Sequence, residues 1–316
     1  MLKRFKKILL TAALTSLFNN GAWAKNSNFD FSPTAISNNV YSIISPSFGL
    51  PTEENKGWNS NSYFVITEQG VLVFDTGSSE AIGKGIRSAI KSITDKPVRW
   101  VVNSHSHADH WLGNAGVSDA STEIIAHQNA ATTMNKYGKD DVKAFSRMTK
   151  GATGASQLAE PLVLLTQAEK RNLGGMNVEF IFSDDGHSQG DVLMWLPKQK
   201  IIFGGDVLSS DWMPIITPNA NVPNLIATLN KVVKLKPSVV LTGHGSTTTL
   251  KSVKRDANLL ASVWQLVKDG YKTGKKLDDI ISQASTELAP TYKPLYKNFD
   301  TAIKEQVSSM YKMQIS

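Results

Sequence analysis

Five times in this 316-residue chain a short apolar run ends in a polar turn that presents one aspartate or histidine: Asp75, His105, His187, Asp206 and His244. Runs of four to eight residues rich in Val, Ile and Phe, bounded by Gly, Asn and Ser, are strand signals. A chain that sets its chemistry at strand C-termini again and again reads as α/β, organised around those ends.

The strand reading covers NVYSIIS (39–45), SYFVITE (62–68) and GVLVFD (70–75), the last two joined at Gln69-Gly70. A helix over 79–93 follows, then strands at 97–103 and 121–127. Residues 128–160 are polar, helical in promise and interrupted by glycines, and are expected as an insertion or rim. PLVLL, NVEFIF, DVLMWLP and KIIFGGD read as strands, the last pair a hairpin across Lys198-Gln199. A helix near 222–236 precedes SVVLTGHG, and the chain is helical from 251 onward. No repeat or linker divides it. The expectation is one domain over 25–250 with a helical extension, 251–316, packed on the same domain.

The segment NSHSHADHWLGN (103–114) holds three of the six histidines. A hydrophobic core gains nothing from three imidazoles that each need a partner, whereas a metal ion needs them all. Residues two apart in an extended segment share a side, so His105 and His107 can bind one ion. If a helix starts at Ala108, Asp109 and His110 project from its first turn toward a neighbouring site, and an acid suits a helix N-terminus. Four ligands in six residues crowd a single ion, so two ions are the natural reading. DDGHSQGD (184–191), FGGDVL (203–208) and LTGHGS (241–246) offer the remaining donors, each with glycine allowing close backbone approach.

Composition narrows the chemistry. The chain has no cysteine, which removes disulfides, thiolate ligands and a Cys nucleophile. Its first 24 residues carry Lys3, Arg4, Lys6 and Lys7, an apolar stretch from Ile8 to Phe18, and Ala22-Trp23-Ala24. That is the pattern of a secretory leader cleaved after Ala24, which implies a periplasmic or secreted protein without stable membrane association. The formal charge of +7 then drops to +3, since the leader takes four positive charges and no acid. No basic stripe points to nucleic acid, so the expected partner is a small-molecule substrate.

These elements together resemble the metallo-β-lactamase superfamily: FDTG at 74–77, HSHADH at 105–110, GHS at 186–188, GGD at 204–206 and GHG at 243–245. The resemblance implies an αββα four-layer sandwich over roughly 40–250. It implies a first ion on His105, His107 and His187 and a second on Asp109, His110 and His244, with Asp206 bridging. It also implies two-metal hydrolysis, in which water activated between two Zn²⁺ ions attacks a carbonyl or phosphoryl centre, iron in the same pocket belonging to the oxidoreductase alternative. Asp109 would orient that water or take its proton. Asp75 would support the HSHADH loop from behind, although it can equally cap the turn at Thr76-Gly77.

The same resemblance leaves several function classes open, because the fold hosts many chemistries. An ester, thioester, lactone or related acyl hydrolase is the leading expectation. The lactamase branch with a Cys in the place of Asp206, followed by a substrate-anchoring Lys, is not matched by GGDVLSSDW, which makes β-lactam hydrolysis the alternative. VVNSHSHADHWLGN with a helical C-terminus is similar to secreted zinc hydrolases associated with sulfur oxidation and quinoprotein systems. An iron oxidoreductase of the persulfide dioxygenase type is a further alternative, and a non-catalytic metal-binding protein is disfavoured by the full ligand set. His127 and Trp111 read as structural. Phe48, Leu50 and Trp58, in the Gly/Pro-punctuated stretch 46–61, are either a flap over substrate or plain loop anchors.

Overall fold

Every second residue of the central strands turns into one shared core. Tyr63 and Val65, Leu72 and Phe74, and Trp100 and Val102 meet Val178 and Phe180, Met194 and Leu196, and Ile201 and Phe203. This period-two alternation brings two sheets face to face. The computed structural model describes residues 29–315, so the leader reading of 1–24 lies outside the described residues.

The first sheet runs in chain order: β1 (Thr34–Ser37), β2 (Val40–Ile43), β3 (Ser62–Ile66), β4 (Val71–Phe74), β5 (Val98–Val102), β6 (Glu123–His127) and β7 (Val163–Leu165). It is antiparallel as far as β4 and parallel from β4 to β7. The second sheet contains β8 (Glu169–Leu173), β9 (Met176–Phe182), β10 (Val192–Leu196), β11 (Ile201–Phe203) and β12 (Val239–Leu241), in the order β12-β11-β10-β9-β8. Only β11 and β12 are parallel there.

Helices complete the layers. On the first sheet's side, α1 (Glu80–Ile93) buries Ile82, Ile86, Ala89 and Ile90 at helical spacing, and Ser79 caps it by accepting from the Ile82 amide. Two one-turn helices follow, α2 (Ala108–Trp111) and α3 (Asn114–Val117). Against the outer face of the second sheet, Leu193, Trp195, Ile202 and Val240 share a core with α5 (Val222–Leu235), α6 (Leu250–Lys272), α7 (Leu277–Tyr292) and α8 (Phe299–Ile315). The fold is the αββα sandwich, with the C-terminal helices built into its outer layer. Among the described residues no helix is long and apolar enough to cross a membrane.

Three elements differ from the sequence expectation. Residues 128–148 form a regular helix, α4, rather than a rim: Ala130, Ala131, Met134 and Gly138 are buried, and α4 packs on Trp111 and Leu112 of the histidine segment. Its buried stripe is mostly small residues, which weakens the apolar period. Gly138 is required there, because a Cβ would lie 2.7 Å from the Trp111 ring. The strands β1 and β8 were not expected. Each is a sheet edge, and the β8 sequence EKRNL is charged because one side of an edge strand faces solvent.

Candidate metal centre

Register places the candidate ligands. Phe74 pairs with Val102 at the ends of β4 and β5, and Phe203 pairs with Leu241 at the ends of β11 and β12. Asp75, the histidine segment, Asp206 and His244 therefore leave their sheets at one edge. The Val192 amide donates to Ser104 O at 2.7 Å and ties the loops of the two sheets together there. His187 comes from the loop between β9 and β10.

The ligand atoms converge in two groups. His105, His107, His187 and Asp206 present atoms that all lie within 4.8 Å of one another, and so do Asp109, His110 and His244. His187 Nε2 is 3.2 Å from His107 Nδ1, and His110 Nε2 is 3.4 Å from His244 Nε2. Asp206 sits between the groups. Its Oδ2 is 3.8 Å from His105 Nε2, 3.6 Å from His187 Nε2 and 3.3 Å from His244 Nε2, and its Oδ1 is 3.3 Å from His110 Nε2. Asp109 Oδ2 lies 3.7 Å from His110 Nε2 and 3.5 Å from His244 Nε2.

Partners behind the rings fix which nitrogen faces inward. The His244 Nδ1–H donates to Asn59 O at 2.6 Å, and the His187 Nδ1–H points to Ile215 O at 3.4 Å. The Asp75 Oδ2 accepts from His110 Nδ1–H at 2.8 Å and from the Ser104 hydroxyl at 2.8 Å. That hydroxyl has its oxygen 2.8 Å from His105 Nδ1, whose proton it accepts. Four Nε2 lone pairs are thus aimed into the centre, joined by Nδ1 of His107.

These residues fit metal ions. Donors around a tetrahedral Zn²⁺ at roughly 2.0–2.1 Å are about 3.3 Å apart, which matches the closest spacings here. His105 Nε2 and Asp206 Oδ1 are buried without a hydrogen-bond partner, an arrangement that a cation accounts for. Electrostatics agree. Burial first, then the neighbouring imidazoles of His110 and His107, hold His105 well below its ordinary pKa. Burial, with His187 beside it, lowers His107 to about 4, and burial also lowers His187. These rings are neutral at pH 7, as ligands must be. In the other half, burial would lower His110 and His244, but Asp206 and Asp109 outweigh it and raise both. Burial likewise opposes ionisation of Asp206, yet His244 and His110 hold it well below the carboxylate range. The two acids demand positive charge between them.

Glycine at two positions is dictated by this crowding. A Cβ at Gly243 would overlap Asp206 Oδ1, and Gly205 sits at φ +50° with a Cβ site 2.5 Å from Ser104 Oγ. Asp75 also occupies the left-handed region, at φ 59°, which turns its carboxylate back toward Ser104.

The stretch 46–61 divides in two. Phe48 stacks on Trp212 at 4.0 Å and stands edge-on to His244 at 5.5 Å, lining the cavity beside the centre. Leu50 is 74 % exposed and lines no part of that cavity. Trp58 corrects the flap reading: it is 1 % exposed and stacks on Phe31 at 4.2 Å, so it anchors the core end of the stretch and meets no substrate. His127 caps α4, its Nδ1 accepting from the Asn129 amide. Trp111 is buried, with its Nε1–H on Ser106 O.

Sequence reasoning missed three groups. Asn59 donates to Asp109 Oδ2 at 2.8 Å, Ser60 bonds Asp109 O, and Asn61 donates to Thr242 O and Gly245 O. Asp191 accepts from the His187 and Ser188 amides and is pushed up to about 6, chiefly by burial. Trp212 and Ile215 complete the cavity wall with Leu208, Ser210 and Met213. The Asn-Ser run between Trp58 and a strand was the available signal for the first group.

Comparison with known proteins agrees with the geometry. The family model of the metallo-beta-lactamase superfamily matches residues 55–244. Metallo-beta-lactamase IND-1 of Chryseobacterium indologenes is 24 % identical over 252 residues, covering 77 % of this chain and 92 % of that one. A type 2 metallo-beta-lactamase of Bacteroides fragilis is 25 % identical over 68 % of this chain and 80 % of its own. Among solved structures, a metallo-beta-lactamase from Pontibacter korlensis aligns with TM-score 0.60 at 21 % identity, covering 73 % of this chain and 99 % of that one. The inverting sec-alkylsulfatase Pisa1 from Pseudomonas sp. aligns with TM-score 0.70 at 15 % identity over 89 % of this chain, which spans half of that protein's length. The chain belongs to the metallo-beta-lactamase superfamily of metal-dependent hydrolases.

Proposed function

We propose that the protein is an exported dinuclear zinc hydrolase that cleaves an ester, thioester, lactone or related acyl bond in a neutral, apolar small molecule. The observation that carries this reading is the cavity beside Asp206 and His244. Its other lining residues are Phe48, Leu208, Ser209, Ser210, Trp212, Met213 and Ile215, and it has no Lys or Arg to hold a substrate carboxylate. Imidazole and carboxylate donors without thiolate suit zinc.

When bound, two ions supply Lewis acidity and a water nucleophile at neutral pH. The chain's own part is binding and proton handling. Phe48 and Trp212 take the apolar group of the substrate, and Asp109 Oδ2, steadied by Asn59, accepts a proton from the attacking water. Asp75 and Ser104 keep the rings of His105 and His110 in register.

A panel of esters, thioesters, lactones, β-lactams and phosphodiesters on zinc-loaded enzyme tests the reading, with neutral and carboxylate-bearing members of each class. Turnover confined to β-lactams would overturn it in favour of the activity named for the Chryseobacterium and Bacteroides relatives. Iron in the purified protein, with no hydrolysis after zinc loading, would favour the oxidoreductase. Export is tested by mass spectrometry: the exported form should begin at Lys25.

A further inference from the structure

One wall of the cavity beside Asp206 and His244 is the segment Ser210–Ile215, which has no regular secondary structure. Its backbone is gripped from outside by elements that follow β12. Ser210 O accepts from Arg255 of α6, and Asp211 O accepts from the Lys297 amide at 2.9 Å. The Met213 amide donates to Asn298 Oδ1 at 3.0 Å, and Pro214 O accepts from Gln306 Nε2 of α8 at 2.7 Å. The next carbonyl, Ile215 O, is the one that orients His187.

Two of the gripping side chains, Gln306 and Arg255, are themselves held. Gln306 is 2 % exposed. The Arg255 guanidinium lies 4.0 Å from the Tyr296 ring centre, and its Nε donates to Asp256 Oδ1 at 2.8 Å. The Tyr296 hydroxyl donates to the same oxygen at 2.6 Å. A loop held by groups with locked rotamers is preorganised, whereas a free loop would have to order on binding.

We propose that the C-terminal helices act as a splint for the substrate wall, with Asn298 and Gln306 as positioning residues that set the placement of Trp212, Met213 and Ile215. This rests on the reading of the cavity as the acyl-substrate site. The splint acts on substrate binding through the loop and touches neither substrate nor metal.

Hydrogen exchange and kinetics on the full-length, metal-loaded protein test it together. In Asn298→Ala/Gln306→Leu, amides of 210–217 should exchange about tenfold faster or more, as expected when buried hydrogen bonds are lost. Those of 98–127 should keep wild-type protection. KM for the best acyl substrate should rise about tenfold with kcat changed less than about threefold. Asn298→Asp keeps the acceptor for the Met213 amide and should restore both readouts toward wild type. Ser308→Ala, whose hydroxyl bonds only Lys304 O of its own helix, should change neither. If the double variant does not fold, Asn298→Ala alone carries the same readouts. Unchanged exchange at 210–217, exchange accelerated evenly over the whole molecule, or an unchanged KM with a loosened loop would each overturn the proposal. Local acceleration in an enzyme that turns over no acyl compound would support the splint and overturn the acyl reading, because exchange needs no substrate.

Discussion

The Asp75 carboxylate lies 2.8 Å from His110 Nδ1 and holds Ser104 through both its hydroxyl and its amide. One buried acid thus orients a ring of each ligand group, His110 directly and His105 through Ser104. Asp75→Asn should weaken metal binding about 10–100-fold, the usual scale for loss of such a supporting partner. Competition with a chromophoric chelator measures it, and unchanged affinity would reduce Asp75 to a turn cap.

On the dinuclear reading proposed above, the two ligand groups on either side of Asp206 should take up about two ions per chain. His110→Ala should lose chiefly the ion of the Asp109–His244 group, and His105→Ala chiefly that of the His107–His187 group. Elemental analysis after saturating zinc and gel filtration reads both. A wild-type plateau at one ion would remove the dinuclear reading.

The two halves of the 46–61 stretch should respond differently to truncation. Phe48→Ala and Trp212→Ala each remove one side of the stacked pair in the cavity, and should raise KM more than they lower kcat. Trp58→Ala empties a buried site and should cost about 3–5 kcal/mol of stability with KM little changed. Urea unfolding and steady-state kinetics on the same preparations separate the effects.

Stability should depend on pH through Asp256, whose carboxyl is pushed up to about 6, chiefly by burial and against the pull of Arg255. A folded pKa above the ordinary 3.8 means that the folded state binds this proton more tightly than the unfolded chain. The stabilisation is complete below about pH 4 and lost as pH rises through about 6. Asp256→Asn should therefore gain on wild type by up to about 3 kcal/mol between pH 4 and 7, in urea titrations of the metal-free protein. A constant difference across that range would show that Arg255 keeps the acid ionised throughout.

The five strand-end residues and the HSHADH segment were legible in the sequence because strand periodicity and ligand spacing are local properties. The helix start at Ala108 and the cap of α1 at Ser79 are equally local. Local pattern by itself determined the α/β reading and the clustering of the candidate ligands, while the αββα sandwich and the division of those ligands between two ions came from the resemblance their motifs carry. The tertiary structure alone decided the rest. Trp58 turns into the core while Phe48 reaches the cavity, a choice set by Phe31 and Trp212, which lie far from them along the chain. Asn59 and Asn61 look like loop polar residues until β12 and α2 bring Thr242 and Asp109 against them. Gln306 meets Pro214 across 92 residues, a hydrogen bond no spacing rule contains. Such groups gain their roles from burial beside partners distant in sequence, and burial is created only when the two sheets and the last three helices close on one another.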